Sequence, residues 1–140
     1  MLYPDTSLLV AALTAEEHTD RAQRWLSAHA AAGLVLSAWT HVEVAAALAA
    51  KLRAGQLEPA LADAALSLYD TIRREQARDV LPVSAHFRRA AEIAANRTAG
   101  ARGGDALHLA IAAEEEARLC TLDQRQAEAA GVLGFDFVLI

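Results

Sequence analysis

Short apolar stretches alternate with longer segments of helical periodicity along the whole of this 140-residue chain. The shorter stretches have the length of strands, and the longer ones repeat apolar side chains every three or four positions, as helices do. The predicted strands are residues 2–3, Gly33–Ser37, Asp79–Val83, Arg118–Leu122 and 135–140. This alternation is typical of a mostly parallel sheet flanked by helices, so the sequence predicts an α/β fold.

Helices are expected between each strand and the next. Their predicted ranges are Thr6–Glu16, His18–Ala31, Trp39–Arg53, Leu57–Gln76, Ser84–Asn96, Asp105–Ala117 and Gln124–Ala130. Gly55 is a C-cap signal for the third of them, and Ser84 is expected to cap the fifth. In the fourth, the apolar spacing predicts an inward face formed by Leu61, Ala64, Ala65, Leu68 and Ile72. No linker or internal repeat interrupts the pattern, and we therefore expect a single domain over residues 1–140.

The composition indicates a globular protein, with 54% hydrophobic and 22% charged residues. The one cysteine, Cys120, forms no intramolecular disulfide, and its apolar neighbours predict a small buried strand residue. The beginning of the chain has no basic region before its apolar run and carries Asp5 there, which does not fit a signal peptide. The longest uncharged run, Ala30–Trp39, is too short for a membrane helix. We expect a cytoplasmic protein with no membrane partner.

The charge of the chain is unevenly distributed. The formal net charge is −5, which argues against broad, sequence-independent binding of nucleic acid. Between Thr71 and Arg102, however, seven arginines stand against three acidic residues. This segment is either a solvated helix face or a basic side suited to an anionic partner.

Three aspartates stand where a predicted helix begins. Asp5 follows the first strand, Asp123 follows the fourth, and Asp105 comes directly after Gly103 and Gly104. Each is suited to be a helix N-cap, with the two glycines giving a flexible approach to Asp105. A second interpretation remains open, because ligand sites gather at the carboxyl ends of the strands in open α/β sheets.

Glu43 lies one turn into a predicted helix, among apolar neighbours. Its spacing from Thr40 fits a capping box, and the alternative is that its side chain points into a cleft. Several carboxylates in one cleft would repel one another unless a divalent cation held them together. A set of oxygen ligands without a His or Cys pattern suits Mg²⁺ or Mn²⁺ better than zinc.

Four motifs, in order and spacing, resemble those of a known family. They are YPDTSLLVA, LSAWTHVEVAAAL, GGDALHLAIA and LCTLDQRQAEAA, and together they extend over nearly the whole chain. The sequence resembles the PIN-domain ribonucleases and, among them, the VapC-like toxins of bacterial toxin–antitoxin pairs. The resemblance implies a PIN-like three-layer α/β/α sandwich around a mostly parallel sheet.

The resemblance also implies a set of site residues. Carried over by position, the catalytic and metal-binding carboxylates are Asp5, Glu43, Asp105 and Asp123. Asp5 and Asp105 would be the core ligands, Glu43 would complete the site, and Asp123 would act from its rim. Thr6 and Thr121 match polar positions that support such a site. The chain departs from many relatives in AGARGGD, for which we expect a more mobile loop, and in His41.

The function implied by the resemblance is that of an endoribonuclease dependent on Mg²⁺ or Mn²⁺. Its implied partners are an RNA substrate, a VapB-like antitoxin that inserts a segment at the acidic cleft, and a second copy in a homodimer. Arg102 and Arg125 are candidates for binding RNA phosphate, or are isolated surface arginines. His108 is expected to pack as a structural histidine rather than act as a general acid. The alternative function is a non-cleaving PIN-like module that binds RNA or a protein.

Overall fold

The computed structural model describes residues 1–140. All five strands lie parallel in one sheet. The strands are β1 (Leu2–Pro4), β2 (Leu34–Ser37), β3 (Ala77–Val80), β4 (Arg118–Thr121) and β5 (Phe137–Leu139). Their order across the sheet is β3-β2-β1-β4-β5. The predicted α/β class is therefore confirmed, and the sheet is parallel throughout.

Seven α-helices flank the sheet. They are α1 (Thr6–Leu13), α2 (Thr19–His29), α3 (Ala38–Arg53), α4 (Pro59–Gln76), α5 (Ser84–Ala95), α6 (Gly103–Glu114) and α7 (Gln124–Leu133). One apolar cluster joins α5, α6 and α7 to the sheet, and two others join α1 to α4 to it. These clusters give the three layers that the sequence predicted. No helix is both long and apolar enough to span a membrane.

The strand order places a topological switch point at the middle of the sheet. From β1 the chain adds β2 and then β3 on one side, and it later adds β4 and β5 on the other. Residues Leu2 to Pro4 therefore pair directly with residues 118 to 120, although the two segments lie far apart in sequence. The connections diverge at this point, and in open α/β sheets the resulting crevice at the carboxyl ends of the strands is where ligands bind.

The predicted third strand was displaced. Strand β3 covers Ala77–Val80 rather than Asp79–Val83, and it pairs in register with all four residues of β2. Pro82 lacks the N–H that a continuing strand would donate, which is consistent with the strand ending before it. Cys120 lies in β4 and is fully buried, as predicted.

Several helix ends also differ from the predicted ones. Ser84 is the first residue of α5 rather than its cap, because the N-cap is Val83, whose backbone N–H donates to His86 Nδ1. Helix α7 continues past Ala130 to Leu133 and ends at Gly134, which adopts a left-handed conformation with φ of 70°. Such a conformation is easily reached only by glycine.

The apolar face of α4 was only partly predicted. Ala65 and Ile72 are buried as expected, together with Ala62 and Tyr69, which were not predicted. Leu61, Ala64 and Leu68, which were predicted to face inward, are exposed and line a groove against the end of α1 and the turn after α3 instead. The helix therefore buries two alanines, Tyr69 and Ile72, and leaves Leu61, Leu66 and Leu68 exposed.

Candidate functional site

Asp5 occupies the switch point between β1 and β4. Its side chain is 3% exposed and caps α1, with Oδ1 accepting hydrogen bonds from Leu8 N and Ser7 Oγ. Its other oxygen accepts from Thr121 Oγ1 at 2.7 Å, so the supporting position predicted for Thr121 contacts this carboxylate directly. Burial raises the pKa of Asp5 above its ordinary value, against the effect of these hydrogen bonds and of His108. The predicted N-cap is confirmed.

Asp123 caps the helix that follows β4. Its Oδ1 accepts hydrogen bonds from Arg125 N at 2.8 Å and Gln126 N at 3.2 Å, which confirms the predicted N-cap. The backbone N–H of Asp123 donates in turn to Thr121 Oγ1. Thr121 therefore links Asp5 to Asp123 across the end of β4.

Glu43 points into the site and does not cap its own helix. The capping box of α3 is formed by Ser37 and Thr40, so the interpretation of Thr40 and Glu43 as a capping pair was wrong. Glu43 Oε2 accepts from Thr6 Oγ1 and lies 2.6 Å from His108 Nε2. Burial raises the pKa of Glu43, but the hydrogen bonds from His108 and Thr6 leave it below its ordinary value.

Asp105 lies inside the first turn of α6. The N-cap is Arg102, so the interpretation of Asp105 as the cap was wrong, and Gly103 and Gly104 are part of the helix rather than a flexible approach to it. Burial raises the pKa of Asp105, and the negative charges of Asp123 and Glu43 raise it further. The charges of Glu43 in the second motif and Asp123 in the fourth therefore act on Asp105 in the third.

The four carboxylates are chemically suited to a hard divalent cation. All of their donor atoms are oxygens, and like charges face one another at the end of the sheet. Glu43 Oε1 accepts no hydrogen bond, whereas both oxygens of Asp5 do. No three His, Cys, Asp or Glu side chains come close enough together to hold one ion. The donor set therefore fits Mg²⁺ or Mn²⁺, and the side chains as they stand do not form a complete set of ligands.

Open pockets lie on both sides of these carboxylates. One, of about 290 Å³, is lined by Asp105 together with Arg102 and Arg125. The other, of about 390 Å³, is lined by Thr6 and Asp123 among other residues. The two candidate phosphate-binding arginines thus share a pocket with a candidate metal ligand, and neither forms a salt bridge within the chain.

His108 is 2% exposed, as expected of a structural residue, but packing is not its main interaction. Its ring bonds to Glu43 on one side and to the Tyr3 hydroxyl on the other. The apolar neighbours in the sequence concealed this role. The spacing of three residues from Asp105 was the available signal, because it places both side chains on one face of α6.

The family of this chain follows from comparison with known proteins. The sequence pattern of the PIN domain family matches residues 2–132. The chain belongs to the PIN domain family. Among curated protein sequences none matches this chain.

Solved structures share the PIN fold over the full length of the chain. VapC20 of Mycobacterium tuberculosis, described as a sarcin-ricin loop cleaving toxin, is 19% identical with a TM-score of 0.75, and the match covers 100% of both chains. VapBC2 of Rickettsia felis, bound to a DNA fragment from its promoter, is 14% identical with a TM-score of 0.71 over 99% and 98% of the two chains. FitAcB of Neisseria gonorrhoeae is 18% identical with a TM-score of 0.70 over 98% and 96%. At these identities the likeness is one of fold.

The absence of a side chain at Gly104 leaves room for the Glu43 carboxylate. A Cβ atom on Gly104 would lie 2.9 Å from Glu43 Oε1, whereas one on Gly103 would meet nothing within 4 Å. Alanine in a helix is favoured over glycine by about 0.5–1 kcal/mol, and we expect Gly103→Ala to gain this stability. The free energy of unfolding of Gly104→Ala should lie about 0.5–1.5 kcal/mol below that of Gly103→Ala, because displacing the Glu43 carboxylate weakens a hydrogen bond to its other oxygen.

Urea denaturation of the two variants measures this difference, and each variant is the control for the other. Equal stability would show that the Glu43 side chain moves aside without losing a contact. The prediction would then be wrong.

The raised pKa of Asp105 generates a second prediction, for the metal-free protein. Folding raises the pKa of Asp105, so the contribution of this carboxyl to the free energy of unfolding is fully present below its unfolded-state pKa. That contribution is lost as the pH rises through the folded-state pKa, because the carboxyl then ionises in the folded protein. Asp105→Asn removes the charge, so we expect this variant to be more stable than the wild type at pH 7 and to lose its advantage in acid. Urea denaturation in EDTA between pH 3 and 8 measures the effect.

Asp63→Asn, on the exposed side of α4, is the matched control and should follow the wild type at every pH. A wild type more stable than Asp105→Asn at neutral pH would contradict the prediction. It would mean that the Asp105 carboxylate has an attractive partner in the folded protein.

Proposed function

We propose that the protein is a metal-dependent endoribonuclease that hydrolyses RNA phosphodiester bonds, built as one PIN domain over residues 1–140. The observation that supports the proposal is the position of carboxylates from distant segments around the switch point of the sheet. Asp5 and Asp123 cap the helices after β1 and β4, and the charges of Glu43 and Asp123 both act on Asp105. A fold held together for stability alone would have no reason to gather like charges at this point.

Each carboxylate has a separate task in the proposed site. Asp5 and Asp105 would hold a Mg²⁺ or Mn²⁺ ion, Glu43 would complete its ligands, and Asp123 would act from the rim. When bound, such an ion supplies polarisation of the phosphoryl group and activation of a water. Thr6 and Thr121 keep Glu43 and Asp5 in place by donating a hydrogen bond to each.

The pocket beside Asp105 supports the RNA part of the proposal. Arg102 and Arg125 are exposed there and stand next to the acidic site. A guanidinium group matches the geometry of a phosphate group and binds it with two hydrogen bonds. These arginines would hold the RNA backbone and bring the scissile bond to the carboxylates, in the cytoplasm, where we place the protein.

A VapB-like antitoxin is the partner that the fold supports. Structural neighbours include VapBC2 and FitAB assemblies bound to DNA. An apolar groove supports such a partner in this chain as well, because the exposed Leu68 and the end of α1 at Leu13 line two adjoining pockets. The antitoxin would insert a segment at the acidic cleft, as the resemblance to VapC-like toxins implies, and the chain would be the toxin of the pair.

A homodimer is the assembly that a second apolar surface supports. Leu81, Val83 and Phe87 follow one another after β3, and each is more than half exposed. Val42 on α3 is also exposed, next to His41, whose ring bonds to Asp79 at the end of β3. Large apolar surfaces of this kind mark interaction sites, and a twofold axis would pair this surface with itself.

Cleavage of a mixed RNA pool tests the proposed activity. We expect the wild type to cut with Mg²⁺ or Mn²⁺ and not with EDTA. Asp105→Asn keeps the shape of the side chain and removes its charge, and it should lower the rate by more than about 100-fold, beyond what residues outside the ligand set contribute. Asp63→Asn is the control that changes the net charge equally, and it should cut like the wild type.

Cutting by Asp105→Asn at the wild-type rate would contradict the assignment of Asp105. If the folded wild type binds RNA and cuts with no metal present or added, the metal-dependent nuclease is excluded. A folded wild type that binds RNA without cutting it under any metal would establish the non-cleaving module in its place.

Sedimentation equilibrium tests the homodimer. Phe87→Asp places a charge on the apolar surface after β3 and should weaken dimerisation by more than about tenfold, which corresponds to 1.4 kcal/mol. Leu61→Asp places the same charge on an exposed leucine of α4 and should leave the dimer unchanged. A wild type that is monomeric at all concentrations, or a dimer lost only in Leu61→Asp, would exclude the proposed interface.

A further inference from the structure

We propose that His108 is a positioning residue that directs its Nε2–H at Glu43 and holds that carboxylate toward the acidic site, with the Tyr3 hydroxyl fixing the orientation and tautomer of the ring. The consequence for metal binding rests on the proposed function. The orientation itself rests on contacts among buried side chains.

A continuous hydrogen-bonded chain connects the sheet to the carboxylate. Tyr3 in β1 places its hydroxyl 2.9 Å from His108 Nδ1, and His108 Nε2 lies 2.6 Å from Glu43 Oε2. Behind Tyr3, its hydroxyl lies 2.9 Å from Ser37 Oγ and 3.3 Å from Thr40 Oγ1. Every member of the chain except Glu43 is at most 2% exposed, so water does not compete for these contacts.

The contacts of this chain fit a neutral His108 that carries its proton on Nε2. An ionised Glu43 only accepts, so a proton on His108 Nε2 satisfies the short contact between them. A ring protonated at Nε2 alone accepts at Nδ1, where the Tyr3 hydroxyl can donate. The Tyr3 proton is free for this bond because the Ser37 and Thr40 hydroxyls can donate to the Tyr3 oxygen. Burial raises the pKa of Tyr3 to about 12, which keeps that proton in place at neutral pH.

Glu43 needs such a partner more than the aspartates do. Asp5 and Asp123 are fixed by backbone N–H groups of the helices that they cap. Glu43 caps nothing and has a longer side chain, so only Thr6 and His108 hold its Oε2. Loss of His108 would leave the carboxylate one short hydroxyl contact and several rotamers. Partners that orient a metal ligand in this way commonly contribute about 10–100-fold to metal affinity.

The test combines a spectroscopic readout with a metal titration on the full chain. Long-range ¹H–¹⁵N spectra of the histidine rings give the tautomer of His108 in the metal-free wild type at pH 7, and the spectrum of His108→Gln assigns the signal. Calorimetric titration with Mn²⁺ alone, without RNA, gives the affinity of the wild type, His108→Gln, His108→Leu and Tyr3→Phe.

Two buried residues outside the site give matched controls. His86→Gln removes a histidine that is 7% exposed and bonds to Val83 N, and Tyr69→Phe removes a buried hydroxyl that bonds to His41. Neither touches Glu43 or His108. Both should leave the Mn²⁺ affinity unchanged even if they lower the melting temperature, which separates loss of stability from loss of orientation.

We expect His108 to be the Nε2–H tautomer. His108→Leu should bind Mn²⁺ about 10–100-fold more weakly, while His108→Gln, whose amide N–H still reaches the carboxylate, should stay within about threefold of the wild type. Tyr3→Phe should leave a mixture of tautomers and an intermediate affinity.

An Nδ1–H tautomer, an imidazolium at pH 7, or equal affinity in His108→Leu and the wild type would overturn the proposal. If His108→Leu does not fold, the tautomer and the Tyr3→Phe titration still decide it. A wild type that binds no Mn²⁺ would overturn the proposed function, while the tautomer would separately decide whether His108 orients Glu43.

Discussion

The buried carboxylate of Asp5 is the interaction on which the site depends. It caps α1 through Leu8 N and accepts from Thr121 Oγ1 at the end of β4, so one side chain fixes two neighbouring strands and the start of a helix. Moving a charge out of water is costly unless hydrogen bonds replace the lost solvation. Here three donors surround one carboxylate, and the raised pKa shows that they offset the desolvation only in part. The centre of the sheet is therefore held by a carboxylate whose ionised form is destabilised by burial.

Burial also acts on the neighbouring carboxylates, but their pKa values respond differently. Glu43 has a compensating partner in His108, and its pKa is lowered in spite of burial. The Asp105 carboxylate has no side chain hydrogen-bonded to it, and burial and the charges of Asp123 and Glu43 raise its pKa. Stability alone would select a neutral residue at position 105. Functional sites commonly keep a charged residue that lowers the folding stability of the protein.

The sequence predicted the architecture better than the site. Alternating periodicity gave the class and the strands apart from the displaced β3, because burial of apolar faces determines both pattern and fold. The N-caps at Asp5 and Asp123 were also predictable, because an N-cap is a local interaction. The cap assigned to Asp105 was wrong because Gly103 and Gly104 were taken as a flexible approach to the helix, although both belong to it.

The contact between Glu43 and His108 could not be predicted, since it joins residues 65 positions apart through side chains alone. Thr40 offered a plausible local partner at capping-box spacing, but Ser37 has that role in the structure. The tertiary contact prevailed because the buried His108 has no water to bind, so its Nε2 needs a partner such as Glu43. Local pattern indicates which carboxylates are present, and only the fold determines which of them are free to bind.

The acidic character of the chain restricts how it could act on an anionic substrate. A phosphodiester that approaches the four carboxylates is repelled by them, and the net charge of −5 adds to that repulsion. Arg102 and Arg125 oppose it only on the side of Asp105, where their pocket lies. A divalent cation among the carboxylates would neutralise part of their charge and give the phosphodiester oxygens a positive group to contact. For this reason, in the proposed reaction, bound metal favours productive RNA binding, and the affinity for RNA should depend on the metal even in a variant that cannot cut.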